Sequence, residues 1–198
     1  MKVSYREERA AERRMSIIKV AARLFSEKGY HEATLEDIAR DLKYTKGSIY
    51  YYINSKQELL FQCHELAMDM LLGRLEEIMA KDLPPDEKLK EGIKAHIELV
   101  VGEMSLVNVA LWQDFELQED YRQVIVAKRD RYERHFRQLI EEGVAKGIFR
   151  PLSSKVAVFI IMGAVNWIPR WFSEKGSMSK SEIAGFFADY LVRPLYKG

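Results

Sequence analysis

The chain has 198 residues, 47% hydrophobic and 31% charged, with a formal net charge of +1. That length suits one compact unit or two small ones sharing a core, and the apolar fraction excludes a disordered protein. Its single cysteine excludes a disulfide framework and a multi-cysteine zinc site, and points to a reducing cytoplasm.

Helical spacing begins with Ile17, Ile18, Ala21, Leu24 and Phe25 on one face, ended by Gly29. The residues before it, MKVSYREERAAERR, have no apolar stretch of the kind an export signal uses. Leu35, Ile38, Ala39 and Leu42 form a shorter helix opened by Thr34 as N-cap with Asp37 three residues on. Ser55 with Glu58 reads as a capping box for a longer helix running to about Ala80, where Pro84 and Pro85 break it. A stripe from Leu89 to Met104, an apolar segment through Trp112, and a long helix through Tyr132, Phe136 and Ile140 follow, the last ended by Gly143 and Gly147. Val156 to about Phe172 is predicted as one helix kinked at Pro169. The final helix is capped by Ser179 with Glu182. No segment alternates at period two. The fold class is all-α with about nine helices: an N-terminal three-helix domain, residues 1–54, and a larger helical domain, 55–198.

Charge is mildly asymmetric: residues 1–60 carry 12 basic and 9 acidic side chains, and the remainder 19 and 21. The most informative segment is TLEDIARDLKYTKGSIYYYINSKQELL, residues 34–60. It places a short helix, a tight turn at Lys43 and Tyr44, an N-cap at Thr45 and a second short helix whose outer residues are Lys46, Gly47, Ser48, Tyr50 and Tyr51. This is a helix-turn-helix arrangement. The second helix has no acid, so its first turn can approach base edges in a major groove without repulsion from phosphate. Lys56 is well placed for phosphate, and Arg6, Arg9, Arg13 and Arg14 add a basic arm.

Residues 17–60 resemble the DNA-binding domain of the tetracycline-repressor (TetR) family of bacterial transcription regulators, most specifically in TKGSIYYYINSKQELL. The resemblance implies a double-stranded DNA partner. Thr34 corresponds to a phosphate contact, Lys46, Gly47, Ser48 and Tyr51 to base-reading positions, and Tyr50, Tyr52 and Lys56 to backbone-positioning ones. Thr45 belongs to the same surface. Lys43 departs from the family's turn glycine, which implies a turn that tolerates a side chain and can turn its charge toward phosphate; Ile53 replaces a frequent phenylalanine.

Residues 156–168 are apolar around the whole helix, too short to cross a bilayer, which takes roughly 20 residues, and contain Asn166. Such a helix must be covered on more than one side. It is predicted to pair with its symmetry mate, together with the last helix, in a homodimer using Phe159, Gly163, Phe186, Phe187, Tyr190 and Leu191. A two-fold dimer spaces its reading heads roughly 34 to 36 Å apart and expects a palindromic operator. The segment from Ala164 to Leu195 resembles family members that control fatty-acid or steroid degradation in response to acyl-coenzyme A thioesters. Beside it stands a local excess of six basic residues against two acidic in 121–137, suited to coenzyme A phosphates. The candidate effector contacts are Met104, Trp112, Phe115, Arg129, Phe136, Met162, Asn166, Trp167, Arg170 and Trp171. A drug-like or lipid effector, as in an efflux regulator, is the alternative, and a binding protein with a vestigial helix-turn-helix is the competing class.

No cofactor, metal site or catalytic residue is expected. His31, His64, His96 and His135 are scattered, and no phosphate loop or nucleophile elbow occurs.

Overall fold

A computed structural model describes residues 5–197. Among them are nine α-helices: α1 (Tyr5–Lys28), α2 (Leu35–Asp41), α3 (Lys46–Tyr50), α4 (Lys56–Met79), α5 (Pro85–Gly102), α6 (Met104–Trp112), α7 (Glu119–Ala145), α8 (Ser154–Asn166) and α9 (Lys180–Val192). Short 3-10 turns cover Asp114–Glu116, Ile168–Arg170 and Arg193–Leu195. None of these helices alone is long and apolar enough to cross a membrane.

Two compact units form. The first comprises Met1–Ala67 with Ser105–Ile125, and the second Met68–Met104 with Val126–Gly198. In the first, α1 buries Ile17, Ile18, Ala21, Ala22, Leu24 and Phe25 and packs against α2, which in turn packs against α3. Its helix starts well before Ile17, so the basic arm is the exposed N-terminal half of α1. Gly29 then stops it at φ 84, a left-handed conformation that glycine adopts without a Cβ clash.

The helix starts follow local rules. Thr34 accepts from Asp37 N while the Asp37 carboxylate accepts from Thr34 N, a complete capping box. At α4 the box is only half made. Ser55 Oγ accepts from Glu58 N at 3.0 Å, but the Glu58 carboxylate reaches back to Asn54, whose backbone N lies 2.8 Å away.

Lys43 stands at φ 56 between α2 and α3. A side chain there costs about 1 kcal/mol, partly offset because glycine loses more freedom on folding. Lys43→Gly is therefore expected to stabilise the protein by about 0.5 kcal/mol or more, read as a higher melting temperature; a lower one would mean the turn is not strained.

The second unit is built on α5, which packs along α9 and against α8. Two sequence expectations change here. Gly143 lies inside α7, which continues to Ala145, and the left-handed terminator is Gly147 at φ 70. Gly143 instead admits the Phe149 ring against the helix backbone. Pro169 does not kink a helix: α8 ends at Asn166, and the proline sits in a 3-10 turn. Proline lacks the N–H that an α-helix needs and its ring collides with the carbonyl four residues back, so the helix stops first.

Candidate nucleic-acid interface and effector domain

The helix-turn-helix presents a sharply divided surface. Ile49 is fully buried, whereas Thr45, Lys46, Gly47, Ser48, Tyr50 and Tyr51 are exposed. Thr45 caps α3, accepting from Ser48 N at 3.1 Å, and the two hydroxyls lie 2.8 Å apart, which fixes both side chains at the helix start. Tyr51 and Tyr52 meet edge to face at 5.0 Å, and Arg13 of α1 donates to the Tyr52 hydroxyl at 3.3 Å. Thr34 is exposed at the α2 start, and Lys43 is exposed in the turn.

Two charged residues lie differently from their expected settings. Lys56 is half-buried, its Nζ donating to the His31 carbonyl at 3.1 Å and lying 4.4 Å from the centre of the Tyr30 ring. Burial holds that ammonium below its ordinary pKa. Lys46 is ion-paired to Glu36 of α2, which raises the pKa of the ammonium and lowers that of the carboxylate. The absence of acid within α3 thus gave no sign of a carboxylate from the neighbouring helix.

In the second unit, α8 separates into two faces. Ala157, Val158, Ile161 and Val165 are buried. Phe159 is 52%, Ile160 61% and Trp167 57% exposed, with Val156 and Gly163 on the same outer stripe. On α9, Phe186 and Tyr190 stack at 4.6 Å and are likewise exposed, while Phe187 and Leu191 are half-buried. Val156, Ile160 and Trp167 share the exposed face of Phe159 and Gly163, as their helical spacing from those two residues allows.

The predicted effector residues are divided between the two units. Trp112 and Phe115 belong to the first unit, where Phe115 is 74% exposed. Phe136 is fully buried in the second unit; Met104, Arg129, Met162 and Asn166 are half-buried, and Trp167, Arg170 and Trp171 are exposed. The Trp171 ring stacks on Phe187 at 6.2 Å. Of the six basic residues of α7, Arg122 pairs with Glu119, Lys128 with Asp69, Arg131 with Glu76 and Arg137 with Glu133, so their positive potential is largely neutralised.

Inside this unit lies a polar chain that sequence reading did not find. His96 Nε2 is 3.0 Å from Asn166 Oδ1, and Nδ1 is 3.0 Å from the Tyr132 hydroxyl. An amide oxygen only accepts, so Nε2 carries the proton and Nδ1 accepts from the hydroxyl. Burial pushes the imidazole pKa down to about 4. The unfolded imidazole takes up a proton near pH 6.5 and the folded one only near 4, so stability is full above pH 6.5 and falls as pH drops toward 4. His96→Gln is expected to flatten the urea midpoint across that window; an unchanged slope would remove His96 as its source.

A cleft of about 530 Å³ lies between α4 and α5 over Met70 and Leu99. Its rim carries Asp69, Glu77, Glu98 and Glu103 against Arg74, a poor match for phosphates. Among the described residues no cluster of His, Cys, Asp or Glu could hold a metal ion.

Comparison with known proteins agrees with this architecture. Residues 17–63 match the family described as bacterial regulatory proteins, tetR family, and residues 82–195 match the tetracyclin repressor-like C-terminal domain. The HTH-type transcriptional repressor KstR2 of Mycolicibacterium smegmatis is 28% identical over 177 residues, covering 87% of this chain and 85% of that protein. The fatty acid metabolism regulator protein of Bacillus subtilis is 27% identical over 153 residues, 77% of this chain and 79% of that one. The crystal structure of AibR in complex with isovaleryl coenzyme A and operator DNA superimposes with a TM-score of 0.84 at 27% identity, over 93% of this chain and all of the other. With both its head and its larger domain matched, the chain belongs to the TetR family of bacterial transcriptional regulators and is not an enzyme.

Proposed function

We propose that this protein is a repressor that binds operator DNA as a two-fold dimer and is released by a small effector, with an acyl-coenzyme A thioester the favoured class. The functional division falls near residue 54. The observation that carries the reading is the outer face of α3, which offers Lys46, Gly47, Ser48, Tyr50 and Tyr51 to solvent while Ile49 anchors the helix inward. Tyr51 and Lys46 read base edges. Thr34, Lys43, Tyr52 and Lys56 position the backbone, Lys56 by swinging from its resting bond to His31. Dimerisation joins α8 and α9 of two copies through Phe159, Gly163, Phe186 and Tyr190, and the operator is palindromic because the dimer is two-fold. Its place of work is the cytoplasm, where bacterial operators are.

For the effector, support comes from the relative named for fatty acid metabolism and from the coenzyme A thioester in the AibR complex. Phe136, which packs on Tyr132, Asn166 of the same polar chain, and Met162 are the proposed contacts for the acyl part. The acid-rimmed cleft favours a second reading, a cationic effector of the kind an efflux regulator senses. Two measurements test these proposals. A gel shift on the DNA upstream of the protein's own gene should give a salt-sensitive complex, and native mass spectrometry of the purified protein should reveal a co-purifying acyl-coenzyme A. A complete absence of DNA binding at low salt would leave only a ligand-binding protein with a vestigial head.

A further inference from the structure

The DNA-facing surface of the head contains a carboxylate that the proposed function does not account for. Glu36 stands in the first turn of α2, half-exposed, and its Oε1 is ion-paired to Lys46 Nζ at the first position of α3. The Lys46 ammonium also lies 5.9 Å from the centre of the Tyr50 ring. The neighbouring acids are directed elsewhere. Asp37 is turned back into the Thr34 cap and meets Lys28 and Arg40, and Asp41 is paired to Arg23. Glu36 is therefore the acid that meets the recognition helix.

An exposed pair of this kind adds little to folding, a median of about 0 to 1 kcal/mol. On a surface that approaches a polyanion, however, a carboxylate raises the energy of every complex in which no base donor or cation compensates it. An unpaired Lys46 would settle on the nearest phosphate, a contact that carries no sequence information. Paired to Glu36, the ammonium of this first residue of α3 is kept from phosphate and stays available to a guanine O6 or N7.

We propose that Glu36 is a specificity-determining residue that positions Lys46 for base reading and denies it to phosphate, exchanging non-specific affinity for discrimination. This rests on the reading of α3 as the recognition helix. Glu36→Gln keeps the size of the side chain and removes the charge. Non-specific affinity should then rise several-fold and the salt dependence of that binding should steepen by about one phosphate contact. The ratio of specific to non-specific affinity should fall about tenfold.

The test uses the full-length protein and two duplexes: one recovered from a random pool by selection on the wild type, and its scrambled counterpart. Fluorescence anisotropy over a salt series gives both affinities for wild type, Glu36→Gln, Lys46→Ala and the double variant. The expected result is a reduced ratio in Glu36→Gln and little further effect of that change once Lys46 is alanine. An unchanged ratio, or the same effect of Glu36→Gln with and without Lys46, overturns the proposal while leaving α3 as the reader. Failure of the wild type to enrich any duplex overturns both.

Discussion

Phe159→Glu is expected to leave a folded monomer that binds operator DNA about 100-fold more weakly than the wild type. Phe159 sits on the outer stripe of α8 with Val156, Ile160, Gly163 and Trp167, and already meets solvent in a single copy. A glutamate there keeps its hydration in the monomer, so the helical circular dichroism should be unchanged. In the proposed dimer the same carboxylate would be buried against the apolar faces of α8 and α9 with no partner. Truncating or charging a central anchor of such an interface typically removes about 2 to 4 kcal/mol, enough to shift a micromolar-range assembly to monomers. DNA affinity follows because two half-sites are no longer engaged by one linked body. Sedimentation velocity and operator titration read the two effects separately. A Phe159→Glu protein that still sediments as a dimer with full operator affinity would move the interface away from α8.

How much of this was legible in the sequence depends on how far each interaction reaches along the chain. The caps at Thr34, Thr45 and Ser179 act within three residues, and each was identifiable from spacing alone. The outer face of α3 was legible for the same reason, since a five-residue helix with one buried isoleucine has only one way to lie. Contacts between distant segments were not. Asp69 and Glu76 pair with Lys128 and Arg131 from more than fifty residues away, partners that the composition of 121–137 does not show. Glu36 reaches Lys46 across the turn, and His96 finds Tyr132 and Asn166 on two other helices. Trp167 shows the intermediate case. It reads from sequence as an effector contact, yet it stands four residues beyond Gly163 and is exposed as Phe159 is, because spacing cannot say which face of an all-apolar helix looks outward.

Gly143 was misread for a related reason, and it supplies the largest expected effect on stability. Glycine near the end of a helical pattern ordinarily signals a stop, but here the helix continues and the missing Cβ makes room for a ring from the following turn. A Cβ at Gly143 would lie 2.5 Å from Phe149 Cε2, inside van der Waals contact. Phe149 cannot easily yield. It is buried against the Tyr196 ring at 5.5 Å, and Arg150 N donates to the Leu195 carbonyl at 2.9 Å, which ties this turn to the C-terminal segment. Tyr196 in turn donates its hydroxyl to Asp86 of α5 at 2.7 Å. Gly143→Ala gains about 1 kcal/mol of helix propensity but forces this packed ring aside, at a cost of about 3 kcal/mol when the surroundings cannot relax. The net loss of about 2 kcal/mol should lower the melting temperature by roughly 4 to 8 °C in a protein of this size. Adding Phe149→Leu removes the overlapping ring atoms and should make the alanine harmless relative to Phe149→Leu alone. A Gly143→Ala protein that melts at or above the wild-type temperature would show that the Phe149 ring does not need the glycine.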